Sequence, residues 1–429
     1  MRSPSHRYVL SIVVVLLTFG SASLGRPRSD RLRFDRLSGR APLPDPKASA
    51  CILVDGETGQ VLFEKNADVK RPQASTTKIM TAILLIENVP MDDMIEADKD
   101  AADTEGSSLY MRPGERVRAD DILYALMLRS ANDACVAVAK HIAGSISAFA
   151  EMMNRKAAEI GASNTHFVTP HGLHVKEHYT TARDLALIAR YAMTLPEFAE
   201  AVGTGSRTIK RDPANKDTYL RNHSKFLGRY RGADGIKTGY TAAAGRCFVG
   251  SATRDGWRLI SVVLNSPDMY AETAALMDYG FTNFRPLEAL SSGIGIGRVR
   301  VIDGVERFVT ARPLHRVRYI APIGTTPRFK TRMAVHTLRA PITRGIRIGE
   351  VSVMNDGTLI GAAPLVAGES VRELPARTVQ RTAWFRAALT LAAMGVFLYG
   401  SARSQDTRRR RHRITAGLRE LDTRGQGNG

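Results

Sequence analysis

Pro72-Gln73-Ala74-Ser75-Thr76-Thr77-Lys78-Ile79-Met80-Thr81 sets a serine and a lysine three residues apart at the head of an apolar run, residues 79–86. With Pro72 just ahead of it, this pattern predicts a buried helix opening near Ser75. Ser75 and Lys78 then share one helix face, and the helix start favours negative charge on the serine. Further along, Asp120 and Asp121 precede the apolar run 122–128, and a second helical pattern begins after Asn132. Ser130-Ala131-Asn132 therefore falls in a turn between two buried helices. Lys237-Thr238-Gly239 lies in a third setting, the first strand of a meander that continues through 247–252, an Asp255-Gly256 turn and 257–264.

The flanking pattern completes a fold class. Cys51-Ile52-Leu53-Val54-Asp55 and Gln60-Val61-Leu62-Phe63-Glu64 surround a glycine-containing loop and read as a hairpin. Thr181 and Asp184 have capping-box spacing before an apolar helix over 185–193. A closing helix is predicted over 271–279. Residues 48–285 thus read as strands, then helices, then an antiparallel sheet, an α+β layering. Beyond them, short β-rich runs at 299–302, 316–320, 333–336, 348–353 and 358–361, punctuated by Pro and Gly, predict a small all-β domain over 290–375.

The three motifs supply a nucleophile, a base, a proton shuttle and a cationic strand edge, an inventory for serine acyl transfer that needs no histidine. Lys78 must be neutral to take the Ser75 proton, and moving a lysine from about 10.4 to about 7 destabilises its ammonium by roughly 4–5 kcal/mol. Burial or a nearby cation achieves this, and Lys237 is the natural cation. Ser130 is placed to relay a proton to a leaving amine, and Asn132 to hold a substrate amide. Thr238 suits a substrate carboxylate that Lys237 attracts. Gly239 offers no side chain against an approaching substrate backbone, and the N–H groups of Ser75 and of the strand near Tyr240 are candidates for an oxyanion hole. His171, His174 and His178 fall around Pro170 and Gly172 without His-Glu-x-x-His spacing, which argues for a structural or solvent-exposed loop. Neither metal nor cofactor is called for. Cys51, Cys135 and Cys247 lie in apolar stretches and read as buried thiols, with a disulfide between two of them left open.

The chain has 429 residues and carries 61 Lys+Arg against 42 Asp+Glu, formally +19. No nucleic-acid motif accompanies the excess, so an anionic membrane surface or wall polymer is the expected partner. Arg2, His6 and Arg7 precede an apolar run over 8–19 and small residues at 21–23, a signal-peptide pattern (1–25) or an uncleaved anchor. An Arg- and Pro-rich linker covers 26–47. Near the other end, 387–402 carries no charge, and Trp384 and Phe385 extend it as interfacial anchors. The arginine cluster at 408–413 marks the cytoplasmic side. A transmembrane anchor over 384–402 with a basic cytoplasmic tail, 403–429, is favoured over a helix lying in the interface. The catalytic domain would then lie on the outer side.

These motifs resemble those of low-molecular-mass penicillin-binding proteins of the D-alanyl-D-alanine carboxypeptidase type. The resemblance extends to Leu128-Arg129-Ser130-Ala131-Asn132-Asp133-Ala134, where the family more often has glycine between Ser and Asn. It also takes in Asp234-Gly235-Ile236-Lys237-Thr238-Gly239-Tyr240-Thr241 and Gly106-Ser107-Ser108-Leu109-Tyr110. It implies a β-lactamase/transpeptidase-like domain, the small β domain and a C-terminal membrane helix. It further implies attack by Ser75 on the D-Ala-D-Ala bond of a peptidoglycan stem peptide, with Lys78 and Ser130 catalytic and Asn132, Lys237, Thr238 and Gly239 binding substrate. β-Lactam antibiotics would acylate the same serine. One departure is that residues 265–272 lack the arginine that some members use for the terminal carboxylate, leaving Lys237 and Thr238, with Arg246 as a further candidate. The competing readings are a β-lactamase, a D,D-endopeptidase and a wall-binding protein with a vestigial site.

Overall fold

The computed structural model describes residues 41–424, with side chains except those of 376–379 and 406–424. The expected signal peptide, residues 26–40 of the linker and the side chains of the 408–413 arginines lie outside the described residues. Strands β1 (Ala50–Asp55) and β2 (Val61–Lys65) form the expected hairpin. The Asp55 carboxylate fixes its loop by accepting from Thr58 N at 2.6 Å, Thr58 Oγ1 at 2.7 Å and Trp257 Nε1 at 2.8 Å. The later meander supplies β3 (Ala233–Thr241), β4 (Gly245–Arg254) and β5 (Trp257–Ser266). The five strands make one antiparallel sheet in the order β2-β1-β5-β4-β3.

The unbroken apolar run of β1 has a physical reason, because both faces of this sheet are covered. Ala50, Ile52 and Val54 join the core formed with the helices between 78 and 203. Cys51 and Leu53 point the other way, into a core with Leu276, Met277 and Tyr279 of the helix Met269–Asn283. The strand β3 forms one edge of the sheet, beside the turn that carries Ser75.

The all-β portion is built from a six-stranded sheet and a two-stranded one pairing Phe284–Leu290 with Val317–Pro322. The first of these strands runs across the expected boundary between 285 and 290, because the chain passes from helix to strand at Phe284 without a linker. The junction is specific. Gln60 exchanges two hydrogen bonds with the Ile320 backbone, at 2.7 and 2.9 Å, and Arg316 and Arg318 both reach Glu57. Ile320 is fully buried in the core beneath the catalytic sheet. After Leu374 a continuous helix, Pro375–Arg424, begins. Its segment Gln380–Gln405 is long and apolar enough to cross a membrane.

Candidate active site

The serine does not lie within an α-helix. Ala74–Thr77 forms one 3-10 turn, and the α-helix Lys78–Asn88 starts behind it. The tighter turn eclipses residues three apart, so Ser75 and Lys78 still align, with Lys78 Nζ donating to Ser75 Oγ at 3.1 Å. Ala74 holds φ +49°, a left-handed conformation that L residues rarely adopt and that presents the following serine. The helix is anchored by its own apolar face, with Ile79, Met80, Ile83 and Leu85 wholly buried.

Lys78 is 0% exposed, and its ammonium makes two further hydrogen bonds, to Asn132 Oδ1 at 2.7 Å and to the His171 carbonyl at 2.8 Å. Burial pulls its pKa below the ordinary lysine value. Lys237 is also buried, and burial followed by repulsion from Lys78 lowers it to about 7. The structure thus sets the two lysines close enough to repel each other, and desolvation is the main cause that lowers the proton affinity of each.

The second motif sits in its expected turn. The segment Ala125–Arg129 closes the first helix as a π-helical turn and Asn132–Ala143 opens the next. Ser130 between them has φ +65°, and its buried hydroxyl has no hydrogen-bond partner. Asn132 spans the site, since its Oδ1 accepts from Lys78 while Nδ2 donates to Glu105 O at 2.6 Å. A carboxamide has two donors and two lone pairs, so one of each is left for a substrate amide.

Gly239 has a structural task in addition to the one expected of it. A Cβ there would lie 2.9 Å from Ser75 N, 3.1 Å from Gln73 O and 3.1 Å from Thr76 N. The glycine lets β3 press against the nucleophile turn, and it is this contact with the protein's own backbone that excludes a side chain. Strand alternation puts Lys237 and Gly239 on the face meeting that turn, with Thr238 half-buried between them. Gly239→Ala is expected to push the Ser75 turn out of register and to lower β-lactam acylation by about 10²-fold, while the melting temperature falls by only a few degrees. Full-rate acylation in that variant would show that the contact is slack.

Several contributors were not singled out from sequence. Asp133 is 0% exposed and its carboxylate accepts from Ser108 Oγ (2.7 Å) and from the backbone N–H of Leu109 (2.9 Å), Met111 (3.0 Å) and Ala134 (2.9 Å). It ties the 106–111 loop to the Ser130 turn. Asp133→Ala strands these buried donors and is expected to cost about 3 kcal/mol or more, read as a lowered urea midpoint. A midpoint within 0.5 kcal/mol of the parent, roughly the scale of surface substitutions, would contradict the clamp. The loop around Pro170 supplies the His171 carbonyl for Lys78. Gly172 packs so closely that a Cβ would fall 1.9 Å from Ala74 O. The solvent-exposed alternative fails for His171 and His178, which are both buried, while the structural alternative holds. His178 Nδ1 accepts from Val168 N at 3.0 Å, which leaves Nε2 to donate to Thr77 Oγ1 at 2.9 Å. Burial drives its pKa to about 4, so it is neutral. His171 is pushed to about 3 for the same reason. Among the described residues no cluster of His, Cys, Asp or Glu could hold a metal. All three cysteines are free and buried. Arg246 directs its guanidinium to Pro267 O at 3.1 Å.

With this geometry in view, the comparisons with known proteins are decisive. Residues 38–268 match the family model of the Peptidase S11 D-alanyl-D-alanine carboxypeptidases. The chain belongs to this family of serine peptidases. Residues 284–373 match the penicillin-binding protein 5 C-terminal domain. The chain is 32% identical over 354 residues to the D-alanyl-D-alanine carboxypeptidase DacA of Escherichia coli, covering 77% of this chain and 85% of that one. It is 29% identical over 375 residues to DacF of Bacillus subtilis, covering 85% and 94%. Penicillin-binding protein 5 from Haemophilus influenzae superposes with a TM-score of 0.65 at 30% identity, over 78% of this chain and all of that one. The S11 peptidase fold and the C-terminal all-β domain are therefore as the motifs implied.

Proposed function

We propose that this S11 peptidase is a membrane-held D,D-carboxypeptidase that removes the terminal D-alanine of peptidoglycan stem peptides through an acyl-enzyme on Ser75. The observation that carries the reading is a wholly buried Lys78 whose Nζ lies 3.1 Å from Ser75 Oγ. In its neutral form Lys78 takes the hydroxyl proton as Ser75 Oγ attacks the scissile carbonyl. The N–H groups of Ser75 and of the β3 edge near Tyr240 receive the developing oxyanion. Ser130, with its uncommitted hydroxyl, passes the proton from Lys78 to the departing D-alanine amine, and the acyl–oxygen bond is then cleaved by water with Lys78 again as base. Asn132 holds the substrate amide, and Lys237 with Thr238 receives the terminal carboxylate. β-Lactams acylate Ser75 by the same first step.

The peptidase and β domains, expected at 48–285 and 290–375, meet at Phe284, where the helix gives way to the first strand of the β domain, and the segment 384–402 is the anchor, with the catalytic domain on the outer face of the cytoplasmic membrane. Support for the anchor comes from side chains of the C-terminal helix that face away from protein on every side. Leu389, Leu391, Val396, Phe397 and Leu398 are each more than half exposed.

The test is mass spectrometry of a stem pentapeptide incubated with full-length protein in detergent. Loss of one alanine, blocked by prior β-lactam, is the expected result. An intact pentapeptide together with cleavage of cross-linked dimers would make the enzyme an endopeptidase. Rapid turnover of the penicillin itself would make it a β-lactamase, and tight muropeptide binding without either would make the site vestigial.

A further inference from the structure

The basic excess of the chain is unevenly placed. Residues 48–283 carry 27 Lys+Arg against 29 Asp+Glu, whereas residues 284–374 carry 14 against 7. The catalytic domain therefore contributes nothing to the positive charge, and the β domain is strongly cationic for its size. Part of that charge lies at one pole, where the segments 303–307, 339–347 and 370–374 carry five arginines against three carboxylates, and two of those carboxylates, Asp303 and Glu373, are paired with Arg339 and Arg381. Backbone hydrogen bonds from Val305 N to Arg372 O (2.8 Å) and from Leu374 N to Asp303 O (2.9 Å) lay the 303–307 loop beside the last residues of the domain. Ile342 and Val371 bridge, and Arg344 N donates to Ser370 Oγ at 2.9 Å, which brings in the 339–347 segment. Arg307, Arg344 and Arg372 are exposed there, and no ion pair joins any of them to a carboxylate among the described residues. Between them stand the exposed apolar side chains Val305 (41%), Ile346 (51%) and Leu374 (41%).

This pole is where the chain leaves the domain. Pro375 opens the C-terminal helix directly after Leu374, and the membrane-length segment begins at Gln380. Six helical residues advance about 9 Å, close to the Debye length of about 8–10 Å at physiological salt. A surface held that near a bilayer feels its headgroup charge, and each basic residue there contributes about fivefold in affinity for anionic lipid. A wall polymer has the same sign of charge but is not held at this distance by the chain, so the tether favours lipid.

We infer that this pole of the β domain, Arg307, Arg344 and Arg372 around Val305, Ile346 and Leu374, docks on the anionic phospholipid headgroups of the membrane in which the C-terminal helix is anchored. The inference rests on the anchor reading proposed above. Docking fixes the tilt of the β domain, and through the Gln60–Ile320 junction it fixes the height and direction of the catalytic cleft above the bilayer.

The test uses the full chain in lipid nanodiscs made of phosphatidylcholine alone or with phosphatidylglycerol. A polarity-sensitive fluorophore is attached at Val305→Cys, or at Leu359→Cys as the remote control. The three native thiols are buried, so labelling is selective. Leu359 lies by the hairpin turn at the far end of the strand Arg347–Asn355, nine residues or about 30 Å from the pole. The Val305 probe is expected to shift to the blue with phosphatidylglycerol and to lose the shift in 0.5 M salt, with the Leu359 probe unchanged. Combining Arg307→Glu, Arg344→Glu and Arg372→Glu should abolish the shift while penicillin acylation, remote from the pole, reports an intact fold. Failure of the protein to enter either kind of disc would overturn the anchor reading. Entry into both with no dependence of the Val305 probe on lipid charge would overturn the docking alone. A shift on neutral discs produced only by added soluble anionic wall polymer would replace lipid with that polymer.

Discussion

Ser75→Ala is expected to abolish pentapeptide turnover and covalent penicillin labelling together, with kcat/KM falling by about 10⁴-fold or more. The size follows from the site's construction. Lys78 has three acceptors, namely Ser75 Oγ, Asn132 Oδ1 and the His171 carbonyl, so losing the hydroxyl leaves the base well held but with nothing to deprotonate. No neighbouring hydroxyl can take over. Thr76 Oγ1 donates to Gln73 O at 2.7 Å, and Thr77 Oγ1 is engaged by His178. Ser130, the remaining candidate, sits on a separate turn. The folded state should be nearly unaffected, because Ser75 is only half-buried and the turn is held from behind by Gly172 and beside by Gly239. Rate measurements on the purified variant, paired with gel fluorescence of a labelled penicillin, decide the matter. Turnover within tenfold of the parent would remove Ser75 from the chemistry.

Lys237→Met is expected to inactivate the enzyme and at the same time stabilise it near neutral pH. The unfolded chain holds this lysine at the ordinary value of 10.5, whereas burial and Lys78 lower it to about 7 in the fold. Between those values the unfolded chain binds more protons, so the Lys237 contribution makes stability rise with pH from about 7 to about 10.5. At pH 7 and below, the folded protein carries nearly the whole penalty of a buried ammonium, at most about 5 kcal/mol for a change of this size. Methionine fills similar space without the charge. The variant should therefore exceed the parent by about 2–5 kcal/mol at pH 6, with the advantage shrinking toward pH 10 as the proton that the unfolded lysine must give up on folding becomes easier to lose. Thermal melts of both proteins from pH 6 to 10 test this. A gap that stays constant with pH, or a parent more stable throughout, would mean that Lys237 is not the strained group.

Much of this was legible because local chemistry dictates it. The three-residue spacing of Ser75 and Lys78 aligns their side chains in either a 3-10 or an α-helical turn, so mistaking one for the other did no harm to the pairing. Ser130 fell in the predicted turn because the apolar runs on either side need buried helices and a break between them. The continuous apolar run of β1 was visible, but its meaning was not, since only the sheet covered on both faces explains it. Gly239 illustrates the limit. A glycine in a strand announces a close approach, yet whether the approaching group is substrate or protein depends on which turn packs against that strand. Asp133 and the His171 carbonyl were out of reach for a related reason. One looks like an ordinary acidic residue in a helix start, and the other works through backbone, which carries no side-chain signature at all.

By itself the sequence determined the reaction class, the order of the three motifs, the α+β class with its β appendage, and an apolar segment near the C-terminus. These follow from residue types, from periodicities and from turn chemistry, all of them local. The tertiary structure decided which groups meet. It joined β1 to β5 across some two hundred residues, set the edge of β3 against the nucleophile turn, and buried two lysines side by side so that desolvation lowers both. It also brought the segments carrying Arg307, Arg344 and Arg372 together at the end of the β domain from which the C-terminal helix departs. Contacts between distant segments depend on how whole layers pack, and the proton affinity of a lysine depends on how much water that packing removes.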